Sequence, residues 1–489
     1  MVCRTVLKMR TGKTTGMSKV IVELLRCLVA LPLGLHALTL MLNSFLRDPT
    51  TANVELASGW VILLPKTLWV CHAKNFRPIV CGEVFAKLAA KLATDRVVHH
   101  WTVPACCFGS VSGKGLPEAL YIAKHAAQSS AALPNGALFV QLDLSQAFDS
   151  LFVNAILSFL QDHWLASTAS SASLLRWVLL HSRLRFELFD FVWWCDQRRG
   201  TQQGGSHSPT LFGRLVAARF EQLTQTWQLQ GEHPAFVAAT LSLWALWFID
   251  DAILVFQTSV QALRLLPQVV SMLAGLGLSI NVAKSCILGC SLSCALPGCL
   301  AAFPVVATSK YLGLPFQVTG EDDHMVDQLC NRATAAFFSN RPILTNRLAT
   351  RQHKLRLFNA LVTASLRWSL CVLSVRQHVL RRLRVHCVTL LTWLLGGRAH
   401  PSWFTVGCLQ ALRHGVKLWG RAYSELWDTL LARMVWQWIG HVLRMPPSSL
   451  TRSVLLDLRP SSGQRRSRTG PVNSGHRSVI RYLQHQGLE

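Results

Sequence analysis

The sequence predicts an α+β fold, from three observations. Short apolar, strand-like runs concentrate between residues 137 and 288. Stretches with helical spacing of apolar residues occupy the first hundred residues and recur between the strand-like runs. Beyond about residue 340 the pattern is mostly helical and strongly basic. About half of the 489 residues (51%) are apolar, so a large core is possible and a disordered chain is excluded.

Taken in order, Val20–Leu31 and Leu33–Phe45 read as two buried helices split at Pro32, which cannot continue a helix from the preceding turn. Glu23, Arg26 and Pro32 interrupt this apolar stretch too often for a membrane span. The basic start, Met1–Lys19, lacks the apolar region of a secretion signal. Trp60-Val-Ile-Leu-Leu is a strand closed by Pro65, and Val84–Val97 is a helix. Ala137–Leu144 is a second strand. Asn154–Trp164 and Leu174–Leu180 are helices, and Ser208–Trp227 opens with Ser-Pro, a helix start. Leu241–Phe256 holds two apolar runs, LSLWALWF and AILVF, around Asp250 and Asp251. Two acids between buried strands are costly unless a hairpin places them at a site. Val260–Leu278 is helical with Pro267 starting or kinking it, and Ser279–Leu288 returns to strand. Ser461–Arg481, rich in Ser, Gly and Arg, reads as loose chain.

The formal net charge is +25, and 23 Lys and Arg against four acids between Arg341 and Glu489 account for +19 of it. A nearly balanced body with a basic C-terminal part suits a polyanionic partner, nucleic acid before an anionic membrane; a solvated basic surface is the plain alternative. None of the 15 Cys forms a CxxC pair, so no zinc ribbon or knuckle can be written. The densest group (Cys286, Cys290, Cys294 and Cys299) reads as buried thiols rather than a metal site, and free thiols suit a reducing compartment.

Asp143 ends a strand-like run, and Asp250 and Asp251 sit at a hairpin turn 107 residues later. Carboxylates on adjacent strand ends are the hard oxygen donors that Mg²⁺ prefers, and two such ions ~4 Å apart serve phosphoryl and nucleotidyl transfer. Structural acids remain the other reading of the spacing alone.

In order along some 300 residues, the sequence resembles a reverse transcriptase. Leu142-Asp143-Leu-Ser-Gln-Ala147-Phe148-Asp149 resembles motif A, LDxxxAFD. Gly200-Thr-Gln202-Gln203-Gly204 through Ser208-Pro209-Thr-Leu211-Phe212 resembles motif B, GxPQGxxLSPxLF. Phe248-Ile249-Asp250-Asp251 resembles motif C, [FY]ADD. Gly277–Lys284 resembles motif D and Tyr311-Leu312-Gly313 motif E. Leu64-Pro65-Lys66 and Phe76-Arg77-Pro78-Ile79 look like the fingers motifs LIPK and YRPI. Gly12-Lys13-Thr-Thr-Gly16 is similar to the GKAxG segment of LINE-type enzymes, and Trp436–Met445 to a WxGHVxRM segment C-terminal to some non-LTR polymerases. The sequence departs from the pattern at Gln202 (Pro), His207 (Leu), Ile249 (Ala), Ser18 (near an expected Asp) and Cys107-Phe108-Gly109-Ser110 (QxGF).

The resemblance implies a right-hand polymerase: fingers and N-terminal helices over 1–135, a palm with an antiparallel sheet over 136–320, a helical thumb-like region over 321–400, and a basic, mostly helical C-terminal region over 401–489, partly disordered after 460. It implies RNA-directed DNA synthesis of the non-LTR (LINE) kind on an RNA template and a DNA primer or target, with Mg²⁺ or Mn²⁺ held by Asp143, Asp250 and Asp251. Lys66 and Arg77 would hold the dNTP triphosphate, Phe148 would exclude a ribose 2′-hydroxyl, Gln203 and Gly204 would border the nascent pair, and Lys284 would protonate pyrophosphate. Tyr311-Leu-Gly would sit near the primer end, while His441 reads as a packed side chain. LINE-type enzymes pair this domain with an N-terminal endonuclease that does not precede it here, which reads as a truncated reading frame or gene-model fragment with the missing domain encoded upstream, or as a polymerase lacking its nickase. An intracellular setting follows, nucleus or cytoplasmic ribonucleoprotein rather than secretion or a membrane, with QRRSR at 464–468 a weak nuclear signal. Two other classes stay open: an intron maturase-like RNA-binding protein, and an inactive retroelement relic that only binds nucleic acid.

Overall fold

The computed structural model describes residues 1–51, 54–66, 72, 75–111, 113–130, 136–188, 190–238, 241–289, 298–319, 321–346, 348–394 and 426–456. The looseness expected after 460, the arginine run at 465–468, and Cys290 and Cys294 lie outside them.

Twelve strands are present among these residues: β1 (Gly59–Pro65), β2 (Phe76–Gly82), β3 (Leu138–Asp143), β4 (Arg183–Leu188), β5 (Phe191–Asp196), β6 (Phe236–Ala238), β7 (Leu241–Leu243), β8 (Ala245–Phe248), β9 (Asp251–Phe256), β10 (Cys286–Gly289), β11 (Thr308–Tyr311) and β12 (Leu314–Gln317). They form one four-stranded sheet in the order β2-β1-β4-β5, a second in the order β10-β3-β9-β8, and two two-stranded ribbons. The second sheet is antiparallel throughout. Helices surround the sheets, so the expected α+β class is what forms.

The second sheet is covered on both faces, and strand alternation decides which residue goes where. Leu138, Val140, Leu142, Ala252, Leu254 and Phe256 enter one core, shared with the Val84–Val98, Ser208–Leu229 and Ser259–Gly275 helices. Phe139, Ile253, Val255 and Leu288 enter the other, shared with the Leu116–Ser130 and Asp323–Ser339 helices and with β11–β12. Two covered faces explain why β3 and β9 read as nearly unbroken apolar runs rather than as alternating ones.

Several expectations are corrected. The Val22–Ala30 and Pro32–Arg47 helices split at Pro32 as expected, but they bury only a stripe (Val22, Leu25, Val29; Leu38, Leu42, Leu46) and leave Leu33 85% exposed. Among the described residues no single helix is long and apolar enough to cross a membrane; only this pair, bent by 118°, passes such a test by length and composition. The run LSLWALWF breaks at Trp244 into β7 and β8, which belong to different sheets. Within the expected strand Ser279–Leu288, only Cys286 onward is strand (β10), because Asn281–Lys284 turn to meet Asp143. Pro267 lies inside an unbroken helix: the Leu263 carbonyl that Pro267 leaves without a donor is 4.0 Å from the Cys299 thiol. Cys299 is exposed, against the expectation of a buried thiol, whereas Cys286 is buried as expected.

Candidate active site

Asp143 is the last residue of β3 and Asp251 the first of β9, and the antiparallel register sets them directly opposite each other. Opposed residues in such a ladder lie ~4.5–5.5 Å apart at Cα. Asp251 also faces Phe248 across the β8–β9 hairpin, so Ile249 and Asp250 form the two-residue turn. Two-residue hairpins favour positive φ in the turn, and here Ile249 adopts φ +62°. That conformation is rare for a β-branched side chain, stores ~1–3 kcal/mol, and persists only where the surroundings impose it.

The surroundings do so from two sides. Phe108 N donates to Trp247 O (2.9 Å) and Trp247 N to Cys106 O (2.8 Å), so residues 106–108 run along β8. Gly109 then passes against the turn. On the other side Asn281 N donates to Asp143 O (2.8 Å), and Ser285 Oγ accepts from Asp143 N (3.0 Å). The motif D loop thus fixes the backbone that carries Asp143. Its Gly277 (φ +82°) is needed because a Cβ there would lie 2.8 Å from Ser150 O.

Like charges crowded at a half-buried strand end disfavour ionisation. Burial first, then Asp250 and Asp143, push Asp251 up to about 6, with Lys284 pulling the other way. Asp250 is also raised, by burial and by Asp143, against a backbone hydrogen bond and Arg77. Lys284 Nζ stands 4.0 Å from Asp143 Oδ2 with its side chain 70% exposed. The donors suit a hard divalent cation in kind, and burial first, then mutual repulsion, raises the Asp250 and Asp251 carboxyls. Their side chains are not converged: among the described residues no three His, Cys, Asp or Glu group as ready-made ligands.

The β1–β2 hairpin brings basic groups to the same place. Lys66 N donates to Asn75 O (2.8 Å), closing its end. Lys66 and Arg77 are exposed, and their charges act on Asp149 and Asp250 respectively. Asp149, to which the motif reading gave no role, is the link that reading missed. Burial raises its pKa, while Gln203 Nε2 donates to its Oδ2 (2.7 Å). Its place in LDxxxAFD was the available signal.

Motif B is threaded between the two sheets. Gly200 (φ +76°) passes so close to motif A that a Cβ would lie 2.3 Å from Phe148 O. Thr201 N donates to that same Phe148 O at 2.7 Å. Val80 N donates to Gln203 O (2.6 Å), and a Cβ on Gly204 (φ +115°) would lie 2.6 Å from Val80 O. Phe148 is half-buried with its ring 5.1 Å from that of Phe212. Two of the departures from the family pattern are buried. Gln202 is buried and donates to Ala57 O and Ser182 Oγ, both at 2.8 Å. His207 is buried, and that burial pushes its pKa down to about 4, so the ring is neutral.

The structure therefore brings Asp143, Asp250, Asp251 and Lys284 together, and sets Lys66, Arg77, Phe148, Gln203 and Gly204 on the segments that border them. Tyr311 is fully buried beneath the sheet, its hydroxyl 3.4 Å from Leu246 O. His441 is not packed as expected: its side chain is 48% exposed, with Nε2 3.9 Å from Glu118 Oε1.

The family model described as reverse transcriptase (RNA-dependent DNA polymerase) matches residues 64–316. Among solved structures, the chain is similar to telomerase from Candida albicans in complex with a fragment of telomeric RNA (12% identity, TM-score 0.39, 82% of this chain and 65% of that one). It is also similar to apo telomerase from Candida tropicalis (10% identity, TM-score 0.43, 82% and 69%) and to a C-terminally truncated form of it (13%, 0.38, 55% and 55%). The chain thus spans only 55–69% of these telomerase chains, and scores this low mark a distant likeness. No curated protein matches. The family match covers just over half of the 489 residues and contains Asp143, Asp250 and Asp251, so the chain belongs to the reverse transcriptase (RNA-dependent DNA polymerase) family.

Proposed function

We propose that the chain is an RNA-directed DNA polymerase of a non-LTR, LINE-type retrotransposon. The observation that carries the polymerase reading is the pairing of Asp143 with Asp251 beside the Asp250 turn. In this reading residues 1–135 are fingers, 136–320 palm, 321–400 thumb-like and 401–489 a basic C-terminal region. The LINE-type assignment is supported by two flanking segments that pack onto the body. Gly16 lies so close to Glu83 that a Cβ would meet its carboxylate at 2.6 Å, and Ser18 donates to Glu83. Trp438 Nε1 donates to Glu118 Oε1 (2.8 Å).

Asp143, Asp250 and Asp251 would hold Mg²⁺ or Mn²⁺, which when bound favours ionisation of the attacking hydroxyl and neutralises charge on the phosphates. The primer 3′-hydroxyl gives up its proton to solvent as its oxygen forms the new bond to the α-phosphorus of a dNTP and the bond to pyrophosphate breaks. Lys284, beside Asp143, is placed to give pyrophosphate a proton. Arg77 and Lys66 offset the triphosphate charge, Arg77 with a fork that matches phosphate oxygens. Phe148, stiffened by Phe212, closes the space that a ribose 2′-hydroxyl would need. Gly204 lets the backbone approach the nascent pair. The reading implies work inside the cell on a ribonucleoprotein, in the nucleus or the cytoplasm, and an endonuclease partner domain.

Extension of a DNA primer on RNA and on DNA templates, with dNTPs or NTPs, tests it. The expected result is dNTP incorporation on RNA that chelation abolishes. A soluble protein that binds the template yet yields no product would instead support the maturase-like or inactive reading.

A further inference from the structure

Gln202 stands where the family pattern has Pro, and it brings an amide side chain to a place where a proline would offer none. The amide reaches the root of the sheet that carries Lys66 and Arg77, whose strand order is β2-β1-β4-β5. That sheet is two hairpins joined along one seam. The seam is parallel and pairs Gly59 of β1 with Leu184 of β4, and Trp60 with Arg185. Two residue pairs make a short seam beside the seven that hold β1 to β2 and the six that hold β4 to β5. Ala57 and Ser182 each lie two residues before it, one on either side. Gln202 Nε2 donates to Ala57 O and to Ser182 Oγ, both at 2.8 Å, so the amide stands where the next rung of the seam would be. Ser182 Oγ in turn donates to Gln197 Oε1 (2.8 Å), one residue beyond the end of β5. A Cβ on Gly82, the last residue of β2, would lie 3.8 Å from Gln202 Oε1. One buried amide therefore lies at the roots of all four strands. The backbone on either side of it is tied as well: Thr201 N donates to Phe148 O, and Gln203 O accepts from Val80 N.

We propose that Gln202 is a positioning residue for the incoming nucleotide: its amide locks the two hairpins into one body and ties that body to motifs A and B, so that Lys66 and Arg77 on the β1–β2 hairpin are held in fixed relation to Phe148 and Gln203. The nucleotide part rests on the polymerase reading above; the locking of the hairpins does not. Without the amide, Ala57 O and Ser182 Oγ each lose a buried donor, and the two residue pairs of the seam are left to join the hairpins. Gln202 itself touches no substrate in this account. Its loss acts through the placement of the cations that hold the triphosphate, while Asp143, Asp250 and Asp251 keep their own register. The effect therefore falls on nucleotide KM rather than on kcat.

The test pairs two measurements on the full chain: steady-state extension of a DNA primer on an oligo(rA) template over a range of dTTP, and backbone amide hydrogen exchange without nucleotide. Gln202→Leu keeps the bulk and removes both donors, and the milder Ser182→Ala removes one acceptor. Gln202→Leu should raise the dTTP KM about tenfold with kcat within about twofold of the parent, and Ser182→Ala should raise KM about threefold. Exchange of residues 59–65 and 183–188 should quicken together in Gln202→Leu, while that of 138–143 stays as in the parent. Should Gln202→Leu not fold, Ser182→Ala decides on the same readouts. An unchanged KM, a fall in kcat alone, or exchange that quickens in one hairpin and not the other overturns the proposal. A parent that extends primers with the same dTTP KM as Gln202→Leu leaves the polymerase reading intact and removes this one. A parent that does not extend, while both segments open together in Gln202→Leu, removes the polymerase reading and keeps the locked hairpins.

Discussion

Gly109 and Ile249 are in contact so close that a methyl group on Gly109 would lie 2.4 Å from Ile249 Cγ1 and 2.6 Å from Ile249 N. The loop that runs along β8 is therefore the wall against which the Ile249–Asp250 turn holds its left-handed residue. Gly109→Ala must move either the loop or the turn, and Asp250 is the next residue along. Because misplacing a catalytic group by ~1 Å can cost ~100-fold in rate, a fall of that order in primer extension is expected, with a loss of ~1–3 kcal/mol in stability. Gly113→Ala is the control: nothing lies within 4 Å of its added Cβ, so only the backbone strain of φ +78° is introduced and activity should stay near the parent value. Extension kinetics and urea melts of the two variants check this.

The raised carboxyls predict an inverted pH response of the metal-free protein. Asp251 ionises at about 6 in the fold against ~3.9 in an unfolded chain, so between these values the native state holds the extra proton. Stability should therefore fall as pH rises from about 4 to 6, since the native state binds more protons than the unfolded one. Thermal melts in chelator should show this decline, Asp251→Asn should reduce it, and Mg²⁺ at neutral pH should raise the parent melting temperature more than that of the variant.

Lys124 and Asp322 form a buried ion pair that joins the Leu116–Ser130 helix to the start of the Asp323–Ser339 helix. Asp322 also accepts from Ser374 N at 3.0 Å, and Lys124 donates to Ser374 Oγ at 3.0 Å. Lys124→Met strands the Asp322 charge and should cost ~3–5 kcal/mol in urea unfolding, whereas Lys124→Met with Asp322→Leu should recover most of that loss.

Phe148 makes a prediction about the sugar. Its ring is held by Phe212, so Phe148→Ala should open the space without unravelling motif A, whose backbone is tied to Thr201. Incorporation of NTPs relative to dNTPs should rise by roughly tenfold or more, the scale of ~1.4 kcal/mol in discrimination, read from paired kcat/KM values.

Much of the site was legible in the sequence because its geometry is local. LDLSQAFD and FIDD each place their acids at the end of an apolar run, and strand register does the rest. Phe148 lies five residues after Asp143, whereas Gln203 and Gly204, 60 and 61 residues after it, were legible only through the resemblance of their segment to motif B. Other features were illegible because they depend on what a segment meets in three dimensions. Arg183–Leu188 and Phe191–Asp196 form a hairpin whose second strand is exposed along its length, so no buried face imprinted a pattern. The carbonyl that Pro267 leaves without its helix donor lies near a cysteine 32 residues later, and the openness of His441 follows from Trp438 taking the buried side. Asp149 was visible as a residue, but its bond to Gln203 was not.

The central claim is that Asp143, Asp250 and Asp251 form the nucleotidyl-transfer centre. Its most direct test is single-turnover extension of a DNA primer annealed to RNA, parent beside Asp250→Asn, after both are shown to bind the template equally. The account predicts Mg²⁺- or Mn²⁺-dependent product from the parent and a loss of about 1,000-fold or more in the variant, a barrier increase of ~4 kcal/mol. Equal rates for the two proteins would contradict it.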